Sequence, residues 1–260
     1  MSKTDTKAAG TVEVTTDEQG IATIVFFHPS HNSLPGTLLD KLAETITKAG
    51  QEEQTKVIIL KSGGERTFCA GASFDELIAI ENKEQGLAFF SGFAKVINAC
   101  RTSGKIIIGR VQGKAIGGGV GVAASTDYCF ATQHAAVKLS ELAIGIGPFV
   151  VGPAVERKIG LAAFSQLSLD ASEFRSAAWA KEKGLYADVY ETTEEMDAAV
   201  QAFATKLATY SPDALKAMKE IFWQETEHWD TLLLERAGIS GTLVLSEFTR
   251  NFIQSFKAKK

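Results

Sequence analysis

Three short segments carry the residue types for one kind of chemistry. Phe68-Cys-Ala-Gly-Ala72 places a glycine, which relieves backbone crowding, beside an alanine whose N–H has little side chain around it. Gly117-Gly-Gly119 sits inside Val111–Gly121, between a β-branched run and a small-residue segment, Val120 to Ser125, that reads as a short helix. Glycines at a strand-to-helix junction let N–H groups crowd a helix start, where they hold negative charge. Leu139-Ser-Glu141 then supplies a carboxylate just after a predicted strand. Two N–H donors and one carboxylate suffice for enolate chemistry. The donors, Ala72 and Gly118, would stabilise charge on a thioester or ketone oxygen, and Glu141 would move a proton on carbon or activate a water.

Competing readings of the same residues fail on spacing. Gly119-Val-Gly121-Val-Ala-Ala124 fits a dinucleotide-binding pattern,. The preceding strand ends near Val111, too early, and the following helix is too short for a crossover helix,. There is no Gly-x-Ser-x-Gly for a serine hydrolase,. His28, His31, His134 and His228 are scattered without metal-ligand spacing, so no metal is expected,. Cys69 reads as a small core residue rather than a nucleophile,.

The elements that must position these groups follow from periodicity. Thr11–Thr15 and Ile21–Phe27 flank Asp17-Glu-Gln-Gly20 and predict a hairpin,. Leu34, Leu38, Leu39, Leu42 and Ile46 predict a first amphipathic helix; Leu87, Phe90, Phe93, Val96, Ile97 and Cys100 predict a second,. Lys56–Lys61, Lys105–Val111, Asp127–Ala131 and Ala135–Leu139 read as strands. Past Pro153 helix formers dominate, with stripes over Glu194–Tyr210, Asp213–Glu227 and Thr231–Ser246 and a break at Thr209–Asp213,. The predicted class is α/β: a tail at residues 1–10, a core at 11–195 in which strand–helix units recur, and a helical region at 196–260,.

Composition sets the surroundings. The 260 residues suit one large domain, or a domain with a small helical appendage,. A net charge of −4 gives no reason to expect nucleic acid or anionic membrane as a partner,. No apolar run approaches the ~18 residues of a membrane span,. Cys69, Cys100 and Cys129 are few, odd in number and far apart, which argues for a reducing, cytoplasmic location,.

Taken in order and spacing, the three segments resemble the crotonase, or enoyl-CoA hydratase/isomerase, family, over about Val12 to Asp188. Ala177-Ala-Trp-Ala-Lys-Glu-Lys-Gly-Leu185 is similar to that family's later Gly-Leu segment. The resemblance implies a spiral of ββα units with a C-terminal helical region that builds homotrimers or homohexamers. It implies an acyl-CoA substrate, no further cofactor, oxyanion-hole N–H groups on Ala72 and Gly118, and Glu141 at the second of two acidic positions. The first acidic position falls on Gly121, which can do no acid–base work. Ser73 and Ser140 stand where many members have Asp and Pro. Ala70, Arg66 and Lys257 are the implied contacts to coenzyme A, and Phe74, Leu77, Phe89, Phe90 and Phe149 are expected to shape the acyl pocket. One acidic residue fits a double-bond isomerase or a decarboxylase. It also fits a hydratase of branched, carboxylated enoyl-CoAs such as methylglutaconyl-CoA, and Leu139-Ser-Glu141 with Gly145-Ile-Gly-Pro148 favours that subgroup. A carboxylated substrate requires a cation in the pocket. A CoA-binding scaffold without turnover is the non-enzymatic alternative.

Overall fold

A computed structural model describes residues 10–257, and of Phe256 and Lys257 the backbone alone. Most of the expected tail, residues 1–9, and the side chain of Lys257 therefore lie outside the described residues. The chain begins with a hairpin, β1 (Thr11–Thr16) and β2 (Ile21–Phe27), in which Thr11 faces Phe27. Its turn forms as the sequence predicts. Asp17 accepts the N–H groups of Gln19 and Ile21, and Gly20 takes a φ of 81° that only glycine adopts freely,. There follow β3 (Ser33–Leu34), α1 (Gly36–Gln51), β4 (Val57–Ser62), β5 (Thr67–Cys69), β6 (Gly71–Ala72), α2 (Phe74–Leu77) and α3 (Lys83–Thr102). Next come β7 (Ile106–Val111), β8 (Lys114–Ile116), α4 (Gly118–Ala124), β9 (Tyr128–Thr132), β10 (Val137–Lys138) and a 3₁₀ turn at Leu142–Ile144. The remainder is α5 (Gly152–Leu169), α6 (Ala177–Glu182), β11 (Asp188–Tyr190), α7 (Thr193–Ala208), α8 (Pro212–Phe222), α9 (Trp229–Leu243) and α10 (Glu247–Lys257).

The long strands form one sheet in the order β1-β2-β4-β7-β9-β11, parallel apart from the first pair. The short strands form two parallel sets, β10-β8-β5 and β3-β6. A long strand, a short strand and a helix thus recur along the chain, which is the expected ββα spiral. β4 and β7 are buried at nearly every position because both faces of their sheet are covered,. Ile58, Leu60 and Ile107 face α1 and α3, while Val57, Ile59, Ile106 and Ile108 face Met196, Val200 and Leu207 of α7. The expected division after residue 195 falls inside α7, so the helical region is layered onto the core rather than appended to it. α9 likewise joins the main core through Trp229, Leu233 and Ala237. It crosses α3 backbone to backbone, since a Cβ on Gly86 would lie 2.7 Å from Gly241 Cα. No helix among the described residues is long and apolar enough to cross a membrane.

Helix ends differ from the periodicity in understandable ways. The stripe over Asp213–Glu227 stops at Phe222, because the chain turns there to bury Trp223. The break at Thr209–Asp213 is a helix start, with Ser211 accepting the Ala214 N–H and Pro212 at the first helical position,. The Ala135–Leu139 run pairs over only two residues. α8 is tied to the sheet by a buried ion pair that the sequence does not advertise. Asp127 Oδ2 lies 2.8 Å from Lys219 Nζ, with the two side chains 2% and 3% exposed, and Asp127 also accepts from Trp223 Nε1 at 2.7 Å and from the Ile107 N–H at 2.7 Å. Lys219→Ala leaves that carboxylate buried beside an empty site. Denaturant unfolding is expected to show a loss of about 3–5 kcal/mol; a loss below about 1 kcal/mol would mark the pair as a solvated one.

Candidate active site

The C-terminal ends of the short strands converge on one cavity of about 330 Å³. Ala70, Ala72, Gly118 and Glu141 all line it, so the structure brings together residues spread over some seventy positions of sequence. The first candidate donor, Gly118, opens α4, and the first N–H groups of a helix have no acceptor within it,. Gly117 precedes it at φ 53° and ψ −119°, donating its own N–H to Lys138 O at 2.8 Å. That bond anchors the glycine turn to the strand leading to Glu141. The second donor segment presses against the first. Gly71 has a φ of 89°, and a Cβ there would meet Ile116 O at 3.1 Å and Gly118 N at 3.6 Å. A Cβ on Gly119 would lie 2.4 Å from Cys69 O. These glycines permit a close approach of two backbones, which brings Ala72 and Gly118 onto the wall of one cavity.

The donor strand is fixed from behind. Ser33 Oγ donates to Ala72 O at 2.9 Å, and the N–H of Ser73 donates to Leu34 O at 3.1 Å. Asn32 is buried with a positive φ; its amide nitrogen donates to Gly63 O and Thr67 O, and its oxygen accepts the His28 N–H. Gln112 donates to Gly64 O from the next strand loop. Asn32 and Gln112 escaped the sequence reading, although Asn32 lies between two predicted elements where a polar side chain can replace backbone partners. Ser73 has a local task as the N-cap of α2, accepting the Glu76 N–H,.

Glu141 precedes the 3₁₀ turn. The residue as a whole is partly exposed, yet its Oε2 is out of contact with solvent and has no hydrogen-bond partner among the described residues. Its other oxygen would lie 2.9 Å from a Cβ on Gly117, so the carboxylate rests on the glycine turn itself. Burial raises the pKa to about 7, a bond from its own backbone N–H offsetting part of the rise,. The group is therefore poised between acid and base near neutral pH. The thiol of Cys69 is pushed by burial to about 12, so it is a core group,.

The rest of the wall is mostly hydrocarbon, with the hydroxyl-bearing Ser33, Ser140 and Ser240 among it. Phe74, Leu77, Phe89, Phe90 and Phe149, the expected pocket residues, all line the cavity. Phe93, Val151 and Ser240 join them without having been expected there. Phe93 was legible only as a core position of its helix, and Ser240 comes from α9, more than a hundred residues beyond the donors. α10 closes over the turn after Glu141: a Cβ on Gly145 would meet Thr249 Oγ1 at 2.5 Å. The implied CoA contacts divide. Ala70 lines the cavity, whereas Arg66 lies in a separate groove with His31, Lys114 and His134 at the opposite ends of the short strands. Lys257 cannot be placed, its side chain being outside the described residues. Gly121 does not line the cavity, and no Lys, Arg or His does so among the described residues.

The fold thus places two candidate backbone donors and one buried carboxylate oxygen on a single cavity. Comparison with known proteins gives the family. Residues 16–239 match the enoyl-CoA hydratase/isomerase family. A probable enoyl-CoA hydratase of Bacillus subtilis is 25% identical over 94% of both chains. An ethylmalonyl-CoA decarboxylase of Xenopus tropicalis is 27% identical over 54% of this chain and 46% of its own. The crystal structure of an enoyl-CoA hydratase from Bacillus halodurans superimposes with a TM-score of 0.87 over 94% of this chain and 99% of that one, at 19% identity. The chain belongs to the enoyl-CoA hydratase/isomerase, or crotonase, family, whose enzymes act on acyl-CoA substrates.

Proposed function

We propose that this enzyme shifts a double bond in an acyl-CoA with an apolar acyl chain, converting a 3-enoyl to a 2-enoyl thioester. The observation that carries the reading is a largely apolar cavity in which Glu141, with its pKa raised to about 7, is the one ionisable side chain on the described wall. The thioester carbonyl sits between the N–H groups of Ala72 and Gly118. Glu141 takes the proton from carbon two, charge gathers on the thioester oxygen, and the same carboxyl returns a proton to carbon four as the double bond settles between carbons two and three. No cofactor beyond the substrate's own coenzyme A is needed. This reading departs from the carboxylated, methylglutaconyl-like acyl group favoured by the Leu139-Ser-Glu141 neighbourhood, because no Lys, Arg or His lines the cavity among the described residues. Such a group would leave its charge unpaired against Phe74, Phe90 and Phe149,.

Incubation in deuterated water with 3-hexenoyl-, 2-hexenoyl-, methylglutaconyl- and ethylmalonyl-CoA tests the reading by mass spectrometry. Migration of the double bond with deuterium uptake and without water gain is expected, the rate rising with pH to a plateau above about 7 as Glu141 ionises. Water gain without migration would overturn it in favour of a hydratase, as in the Bacillus relatives. Loss of carbon dioxide from ethylmalonyl-CoA alone would favour decarboxylation, the activity named for the Xenopus relative.

A further inference from the structure

The three hydroxyls on the cavity wall are not equivalent. Ser33 Oγ donates to Ala72 O at 2.9 Å, and Ser140 adjoins Glu141 in the chain. Ser240 differs from both. It lies inside α9, is 1% exposed and lines the cavity. A serine or threonine inside a helix commonly donates to the carbonyl four residues back. Ser91 does so to Leu87 O at 2.6 Å, Ser168 to Phe164 O at 2.8 Å and Thr242, in α9 itself, to Gly238 O at 3.0 Å. Ser240 Oγ makes no such bond to Arg236 O and has no hydrogen-bond partner among the described residues. It is not sealed off as Glu141 Oε2 is, so the little surface that Ser240 keeps includes the hydroxyl and opens on the cavity. Its place along the cavity follows from α3. Phe93 marks the donor end, since a Cβ on Gly118 would lie 2.2 Å from its ring. Gly86, seven residues earlier on α3, meets Gly241, the chain neighbour of Ser240. Seven residues of helix span about 10 Å. Glu141 rests on Gly117, at the Phe93 end. Val244, one turn beyond Ser240, packs with Leu77 and Ile146 away from the donors.

We propose that the Ser240 hydroxyl selects acyl chains that carry a neutral oxygen, a hydroxyl or a carbonyl, on the part of the chain remote from the thioester. A serine hydroxyl both donates and accepts, so either group fits it. Water satisfies such a hydroxyl in an open cavity. A wholly apolar chain displaces that water and leaves the hydroxyl bare, whereas an oxygen on the chain takes the water's place. The oxygen is neutral, because no Lys, Arg or His lines the wall among the described residues to pair with a charge,. This deepens the isomerase reading by naming the one polar group of an otherwise apolar chain, and it rests on the acyl chain lying in this cavity.

Equilibrium binding of saturated, unreactive esters tests Ser240 apart from the reaction. Calorimetry compares hexanoyl-CoA with 5-hydroxyhexanoyl-, 6-hydroxyhexanoyl- and 5-oxohexanoyl-CoA in wild type, Ser240→Ala and Ser240→Cys, with melting curves to establish folding. At least one oxygenated ester is expected to bind wild type about tenfold tighter than hexanoyl-CoA. Ser240→Ala removes the partner, and Ser240→Cys keeps a side chain of similar shape with only a weak donor. Both are expected to bring that ratio to within about threefold of unity, with hexanoyl-CoA bound at least as tightly as before. Three results would overturn the role of Ser240: no preference in wild type, as when the hydroxyl turns back to Arg236 O; a preference that survives in a folded Ser240→Ala; or an equal weakening of all four esters, which would mark a packing role. Turnover of the corresponding 3-enoyl esters tests the isomerase reading separately. A Ser240-dependent preference in an enzyme that adds water would keep Ser240 and remove isomerisation, and migration without the preference would do the reverse.

Discussion

Glu141→Gln is expected to lose roughly 10²–10⁴ in turnover and to gain thermal stability at pH 8. The first effect follows from removing the group that carries the proton. The second follows from linkage. The folded-state pKa of about 7 lies above that of an unfolded glutamate, so between the two values the folded chain binds the extra proton,. The associated stability is present below about pH 4.5 and is lost as the pH rises through about 7. Above that the wild type holds an ion in a poorly hydrated place, costing roughly 3 kcal/mol. Glutamine is neutral throughout. Its advantage in melting temperature should amount to several degrees at pH 8 and fade toward pH 5. A variant that is slow but no more stable at pH 8 would mean that the carboxylate is hydrated in the free enzyme. A variant with full turnover would remove Glu141 from the chemistry.

The second large effect is expected at Gly118, and the informative comparison is between two substitutions. A Cβ at this position would lie 2.2 Å from Phe93 Cζ, so both Gly118→Ala and Gly118→Pro must displace the ring. Only proline also removes the N–H, and it is tolerated at a first helical position. Gly118→Ala should be slowed by the disturbed packing, and Gly118→Pro should fall a further 10²–10³-fold in turnover, the value of one oxyanion donor. Equal rates in the two variants, both folded, would show that the Gly118 N–H does not meet the reacting oxygen.

The sequence made the chemistry more legible than the cavity around it. Ala72, Gly118 and Glu141 stand in segments whose glycines and flanking strands announce a close approach of backbones. The long strands and amphipathic helices were legible from periodicity because each buries a face. Among the short strands β10 was, within the Ala135–Leu139 run, but β3, β6 and β8 were not, since they show no alternation and are held by pairing with partners distant in sequence. The fate of Gly121 was equally hidden. As a residue type it says only that no carboxylate is present, and it takes the contact with Val151, thirty positions away, to show that none would fit. The Asp127–Lys219 pair, ninety-two positions apart, gives no local signal either.

The cavity wall includes Ser240, carried by a helix near the end of the chain, while both donors and the base are complete by residue 141. Synthesis runs in the same direction. A growing chain carries Ala72, Gly118 and Glu141, the groups proposed to do the chemistry, well before it has the last part of the cavity wall. Chain ends that stop short of α9 would keep Ala72, Gly118 and Glu141 in sequence but lose both Ser240 from the wall and Trp229, Leu233 and Ala237 from the core. The α9 part of the cavity wall is in this sense the last piece of the site that the polypeptide acquires.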